Sequence, residues 1–289
     1  MLKLTLPLLQ DIRSNQALDL NTKIDKTTSL FVFCTVFTLV TIPILLSANL
    51  LDLRMLDGMP IWHKPLRFAF SLMLHFLTLS LLMKLVIPKM REAKRIKWVA
   101  YAAVMSLWFE LSYIIIQASK GRRSHFNFET PIENALYGLM GIGAFFLVLI
   151  SFLVGIMIWR YGYKDHSGLR YGAIIGLIAG SVLTLIFAGF MSTDPTYIKQ
   201  KLTLEASVIP YLGWSKVTGD YKPAHFVATH MMQLLPLIGM WLDKAKLGNK
   251  LSNLMGKKNA TVLFAFIFIT LAFALFAQAL YGIPFIKSR

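Results

Sequence analysis

Cysteine is almost absent from this chain. The one thiol, Cys34, lies inside a long apolar run. No internal disulfide can form, and a lone cysteine makes no metal site. It reads as a small apolar packing residue. Charge is scarce too: 15% of the 289 residues are Asp, Glu, Lys or Arg, against about a quarter in a soluble domain. Acids are scarcer still, 14 against 30 Lys and Arg, for a formal net charge of +16. Long polar stretches are also missing. The longest between apolar runs covers Ser192 to Lys222, which leaves no room for a separate soluble domain. No basic segment interleaves aromatic residues on a soluble face, so nucleic acid is not an expected partner. The positive charge is instead what cytoplasmic loops of membrane proteins collect. The stretch ahead of the first apolar run is too long and too acidic for the n-region of a signal peptide, so a cleaved leader is not expected.

What the chain has in abundance is apolar length. Hydrophobic residues make up 56%, and the mean hydropathy is +0.60. A spanning helix needs about 20 mostly apolar residues. Seven segments qualify: Leu30–Leu51, Pro65–Ile87, Trp98–Gln117, Ile132–Trp159, Tyr171–Met191, Pro223–Leu242 and Thr261–Ile283. None alternates with the period of two of a barrel strand. Backbone groups in hydrocarbon must pair internally, so helices are the expected form. The expected fold is all-α: a polytopic seven-helix transmembrane bundle over residues 28–289. Residues 1–27 form a cytoplasmic N-terminal segment, mildly amphipathic over Leu2–Leu20 and suited to lying on the membrane surface.

Lys and Arg set the orientation. With the N-terminus inside, the inner segments hold seventeen of them and the outer segments twelve, with Lys84 snorkelling at the inner end of the second helix. That bias predicts N-in, C-out, in a bacterial inner membrane. Gly172, Gly176 and Gly180 recur every four residues, and Gly138 and Gly141 lie close together. Small residues at such spacing predict close helix packing.

The outer segments carry denser chemistry than the inner ones. Ionisable residues at membrane depth mark functional sites by default, and three occur: His75, Glu110 and His230. On the second helix His63, Arg67, Ser71 and His75 follow at i+4, one slanting stripe, with His75 about 15 Å below Pro65. On the third, Glu110, Tyr113 and Gln117 share a face, with Glu110 about 10 Å below the outer end. On the sixth, His225, Thr229 and Gln233 form a stripe, with His230 about 60° from Gln233. The expectation is one polar pocket, open to the outside, where three helices converge. Arg122 and Arg123, with Ser124 and His125, follow the third helix. His166 reads as an incidental surface residue of an inner loop.

Three chemistries fit such a pocket. The favoured expectation is a metal- or haem-binding, redox-active role. His75 and His230 are the expected ligands of a haem b iron, or share a transition metal such as zinc with Glu110, and His225 and His125 are further candidate ligands. Lys64, Arg67, Arg122 and Arg123 would meet haem propionates, and Gln233 lines the same pocket. No C-x-x-C-H attachment motif is present. The next expectation is a proton-coupled carrier, in which His75, Glu110 and His230 relay protons or hold an anion beside Arg67. No internal repeat supports it, and Pro43 and Pro236 are single interruptions. A receptor or scaffold is also compatible, since seven helices alone imply no activity. The expected partners are the bilayer and a small-molecule or lipid substrate.

The third chemistry rests on a short motif. Ser71-Leu72-Met73-Leu74-His75 resembles the S-x-x-x-H element of the ceramidase-like superfamily of seven-helix hydrolases. The resemblance implies a metal-dependent membrane hydrolase in which zinc activates a water. Glu110 would replace that family's third-helix Asp, and Ser71 and Glu110 would be catalytic. The family's H-x-x-x-H belongs on the seventh helix, which here has no histidine. The closest pair, His225 and His230, sits at i+5 on the sixth, about 140° apart.

Overall fold

A computed structural model describes residues 24–165, 167–203 and 208–286; the expected Leu2–Leu20 surface helix and His166 lie outside them. The regular secondary structure of the described residues is helical save for one short hairpin and two isolated bridges. Long helices are α1 (Lys26–Leu51), α2 (His63–Leu82), α4 (Lys94–Ser119), α5 (Pro131–Tyr161), α6 (Gly168–Thr193), α8 (Lys222–Lys244) and α10 (Lys257–Leu280). Short ones are α3 (Pro88–Arg91), α7 (Pro195–Thr203) and α9 (Lys246–Met255). Six helices are long and apolar enough to cross a membrane: α1, α2 with the 3-10 turn that extends it to Leu85, α4, α5, α6 and α10. The remaining long helix, α8, is diluted by His225, His230, Gln233 and two prolines.

Local chemistry sets the helix starts. Asp25 caps α1, its carboxylate accepting from the Thr28 amide at 2.9 Å and the Thr28 hydroxyl at 2.8 Å. Thr130 caps α5, with Pro131 in the first turn where no amide donor is needed. Ser167 caps α6, and Asp243 adds a second cap from a distance by accepting from the Gly168 and Leu169 amides at 2.9 and 3.0 Å. Each long helix starts before its apolar run, because polar residues there extend the turn while reaching polar surroundings, whereas α2 and α10 end before their runs do.

Contacts between connections sort them into two ends. At the proximal end, Thr27 donates to the Arg91 carbonyl at 2.8 Å, Val86 bridges to Gly162, and Asp243 holds the start of α6. At the distal end, Arg54 donates to the Ser119 carbonyl, Arg123 pairs with Asp57, and Gly219 lies against the last turn of α10. The seven long helices therefore run alternately from one end to the other, α8 included.

α1 packs on α2, α4 on α5, and α5 on α6, while α8 is wedged between α6 and α10. The closest approach is between α6 and α8. A Cβ on Gly172 would stand 2.1 Å from the Leu235 carbonyl oxygen, and one on Gly176 2.6 Å from that of Met231. The predicted glycine ladder is thus the seam of the C-terminal half. Gly138 and Gly141 do not fit the same expectation: nothing lies within 4 Å of where their Cβ atoms would be. They face outward on α5. One apolar cluster joins α1, α2, α4, α5 and α6, and a second joins α6, α8 and α10. α2 and α8 touch only lightly.

A purely helical chain is not what folds. Met55–Leu56 (β1) and Met59–Pro60 (β2) form an antiparallel hairpin. Its turn, Asp57-Gly58, has φ of 52° and 74°, the left-handed pair that a tight two-residue hairpin requires.

Candidate functional site

The distal half of the bundle gathers cations. Lys64, at the start of α2, lies within electrostatic reach of Lys222 and Arg67, and of the carboxylates of Asp57 and Glu110. Its ammonium makes no hydrogen bond or ion pair with any described residue. Lys64 and His125 are both half-buried. Arg67 donates to the Leu212 carbonyl, and Lys222 donates to the Gly213 carbonyl at 2.6 Å. Two cations from α2 and α8 thus converge on consecutive carbonyls of one turn. Gly213 permits this approach: its φ is +65°, and a Cβ there would lie 3.1 Å from the Arg67 guanidinium and 2.7 Å from Met59.

His125 completes this face. Its ring meets Phe68 edge-on at 5.7 Å and lies 5.9 Å from Tyr137. Burial, with Lys64 and Lys222 nearby, pushes the imidazole well below the ordinary histidine range. It is therefore a neutral polar group at physiological pH. His63 stacks on Tyr211 at 5.3 Å, and its Nδ1 is buried without a partner.

Beneath the cations sits Glu110 on α4, 2% exposed. Its Oε1 has no hydrogen-bond partner. The carboxyl fits because the facing residue on α5 is Gly143, whose absent Cβ would stand 3.0 Å from Oε1. A buried carboxyl oxygen with no hydrogen-bond partner is costly, and native folds seldom retain such groups without use.

The other two residues expected at membrane depth, His75 and His230, form no hydrogen bond with Glu110 among the described residues. His75 is buried, with Nε2 unpartnered, and lies against Phe76 and the Leu147 backbone. His230 turns outward on α8: its Nδ1 meets the Phe226 carbonyl of its own helix at 2.8 Å and its ring lies on Phe226 at 3.9 Å. The reason is the glycine ladder, which takes the Ala228, Met231, Met232 and Leu235 face of α8 and so turns His230 away. No ring contact joins His75 and His230 among the described residues. Among the described residues, no group of three or more His, Cys, Asp or Glu side chains is arranged to hold a metal ion.

Ser71 is exposed while His75 is buried, so the S-x-x-x-H element is not assembled around one point. The α8 stripe does face inward in part. Thr229 meets Thr184 of α6 at 3.2 Å, and His225 Nδ1 and Gln233 Oε1 are both buried without partners. Arg123 is engaged by Asp57 through paired contacts at 2.9 and 2.7 Å, and Arg122 lies 3.9 Å from Glu133 and half exposed. Neither is held open for a ligand. Tyr113 and Gln117, expected beside Glu110, instead donate to Glu133 at the start of α5.

The residues that sequence reading overlooked are Lys222, Asp57 and Gly143. Asp57-Gly58 carried a readable hairpin signal. Lys222 stands immediately before the proline that opens α8. Gly143 gave no signal, since nothing in a single helix shows what faces it.

The distal face is braced beyond the cations. Asp220, 3% exposed, accepts from the Tyr197 hydroxyl and the Ser215 and Lys222 amides at 2.9, 2.9 and 3.0 Å. Asp194 accepts from the Tyr221 hydroxyl at 2.6 Å and caps α7. These bonds fix the turn whose carbonyls hold Arg67 and Lys222.

No protein-family model matches this chain, and neither does any curated protein or solved structure. The fold and the site define a multi-pass helical membrane protein with a distal cluster of cations above one buried carboxyl.

Proposed function

We propose that this chain crosses a bacterial inner membrane seven times, α8 included, with its N-terminus inside and its C-terminus outside, and acts as a proton-coupled carrier of a small anionic solute. The alternation of helix ends supports the seventh crossing, and the basic bias of the proximal end supports the orientation. The observation that carries the function is Glu110 below Lys64, with no hydrogen bond on Glu110 Oε1 or on the ammonium.

The coupling follows from electrostatics. Ionised Glu110 competes with an incoming anion for Lys64. Protonating Glu110 removes that competition, so proton and anion bind together. By linkage each raises the affinity for the other to the same degree. Arg67 and Lys222 lie on the distal approach, where the carbonyls of Leu212 and Gly213 supply the negative ends that an anion would replace. His125, held neutral, offers the anion a hydrogen bond without adding charge.

Proteoliposomes carrying a pH-sensitive dye test this directly, with acetate, succinate and inorganic phosphate as probes. The expected result is anion-dependent proton entry that falls about tenfold or more in Lys64→Gln, while Glu110→Gln still binds anion but moves no protons. Proton entry that ignores the anion, or is unchanged in Glu110→Gln, overturns the reading.

A further inference from the structure

The proximal end holds a second basic feature, remote from Glu110 and unused by the carrier. A groove of about 440 Å³ opens between the end of α5 and the starts of α6 and α10. Its rim is basic, with Lys164, Arg170 and Lys258, and its wall is apolar, with Trp159, Ile174 and Ile175. Ile174 and Ile175 lie about one turn deeper along α6 than Arg170, so the apolar wall runs from the rim toward the membrane interior. A larger space of about 810 Å³ adjoins it, shares Asp165, Tyr171 and Lys258, and reaches Ser252 of α9.

The two lysines are not spent on the protein. Lys164 and Lys258 are exposed and form no ion pair with a described residue. Arg170 donates through Nη2 to the last carbonyls of α5, Ile158 at 3.4 Å and Trp159 at 3.3 Å, while its Nε is buried with no partner. One acid lies at the rim, Asp165, which takes a hydrogen bond from Ser167. Three cations against one carboxylate leave the rim positive.

The neighbourhood is that of a membrane–water boundary. Trp159 is 56% exposed with the Arg160 guanidinium 5.9 Å above its ring. α9 presents Leu247 and Leu254 at 68% and 81% exposure on one side and buries Gly248 and Ser252 on the other. A helix of this kind lies in the interface plane.

We propose that this groove binds an anionic phospholipid from the leaflet at the proximal end. The headgroup phosphate sits among Lys164, Arg170 and Lys258, and one acyl chain runs down Ile174, Ile175 and Trp159. Charge complementarity selects an anionic headgroup over a zwitterionic one, and the apolar wall selects a lipid over a free phosphate. The Arg170 guanidinium adds its fixed positive charge at the rim, and the two lysines act as point charges.

The test is lipid binding to the full-length protein in detergent, read by native mass spectrometry, with phosphatidylglycerol and phosphatidylcholine as probes. The wild-type protein is expected to retain one phosphatidylglycerol in preference to phosphatidylcholine. Each lysine near an anionic headgroup is worth a factor of about five, so Lys164→Gln/Lys258→Gln is expected to weaken that binding roughly 25-fold. Both lysines are exposed, so the fold tolerates the change, and an unaltered melting temperature confirms it. Lys89→Gln/Lys94→Gln removes the same charge from another part of the proximal end and should leave binding unchanged. Glycerol 3-phosphate and inorganic phosphate should not displace the lipid at equal concentration. The proposal is overturned if the wild type shows no headgroup preference, if both double variants lose binding equally, or if inorganic phosphate competes as well as the lipid. None of these outcomes touches the carrier reading, which is measured at the other end of the molecule.

Discussion

Replacing Gly172 by alanine is a sharp perturbation of this fold. The added Cβ would stand 2.1 Å from the Leu235 carbonyl oxygen, 2.7 Å from its carbon and 3.0 Å from Pro236 Cα. Ordinary contact begins near 3.4 Å, so α6 and α8 must part locally by about 1.3 Å. All three obstructing atoms are backbone, so no side-chain rotation relieves the clash. Overpacking of this kind costs about 1–3 kcal/mol and occasionally more. Parting also separates neighbouring contacts, Gly168 against Gly239 and Gly176 against Met231, which places the loss at the upper end of that range. Gly141→Ala is the control. Nothing lies within 4 Å of its added methyl, and helix propensity favours alanine by about 1 kcal/mol in water. Thermal unfolding in detergent, followed by tryptophan fluorescence, should show Gly172→Ala melting several degrees below wild type, by about 2–4 °C per kcal/mol, and Gly141→Ala at or above it. A Gly172→Ala protein as stable as Gly141→Ala would refute the assignment of the glycine ladder as the seam between these helices.

Other outcomes follow from the distal and proximal ends. Asp57 and Arg123 are partly exposed, so a double-mutant cycle with Asp57→Asn and Arg123→Gln should return a coupling of about 0.5–1 kcal/mol; zero coupling would mean that the paired contact holds nothing in place. The Tyr221 hydroxyl holds the Asp194 carboxyl below its ordinary value. Its contribution is therefore complete above the unfolded value of about 3.9 and is lost as pH falls through the lowered folded value. Hydrogen exchange over Pro195–Thr203 should accelerate in that acid window in wild type, and the same step should start at higher pH in Tyr221→Phe; identical profiles would contradict the link. Glu110→Gln should impair anion-dependent transport far more than Glu92→Gln, because Glu92 is a surface acid meeting Lys97 and the Lys26 amide. Equal losses in the two variants would count against a role for the buried carboxyl.

Much of this architecture was readable before any coordinates. Helix positions followed from apolar length, since a bilayer admits little else, and the Gly172, Gly176 and Gly180 spacing announced a close contact. The Asp57-Gly58 signal was equally plain, but it lay among helical runs and the hairpin was not expected. Gly138 and Gly141 show the limit of spacing as a guide, because periodicity says that a face is small without saying that another helix meets it. The same limit governs the site. His225, Thr229 and Gln233 do share an inward stripe, yet His230, nearly as promising by depth, faces out.

Composition and period alone determined that the chain forms long apolar helices, which of their turns are polar, and that its basic residues favour one end. These properties are local, set by backbone hydrogen bonding and by the cost of polar groups in hydrocarbon. Only tertiary packing decided which polar groups meet. The rotation of α8 was set by glycines on α6, the room for Glu110 by Gly143 on α5, and the convergence of Arg67 and Lys222 by a turn 145 residues along the chain from Arg67. Such facing relationships depend on the rotation and depth of each helix against its neighbours, which no single segment encodes.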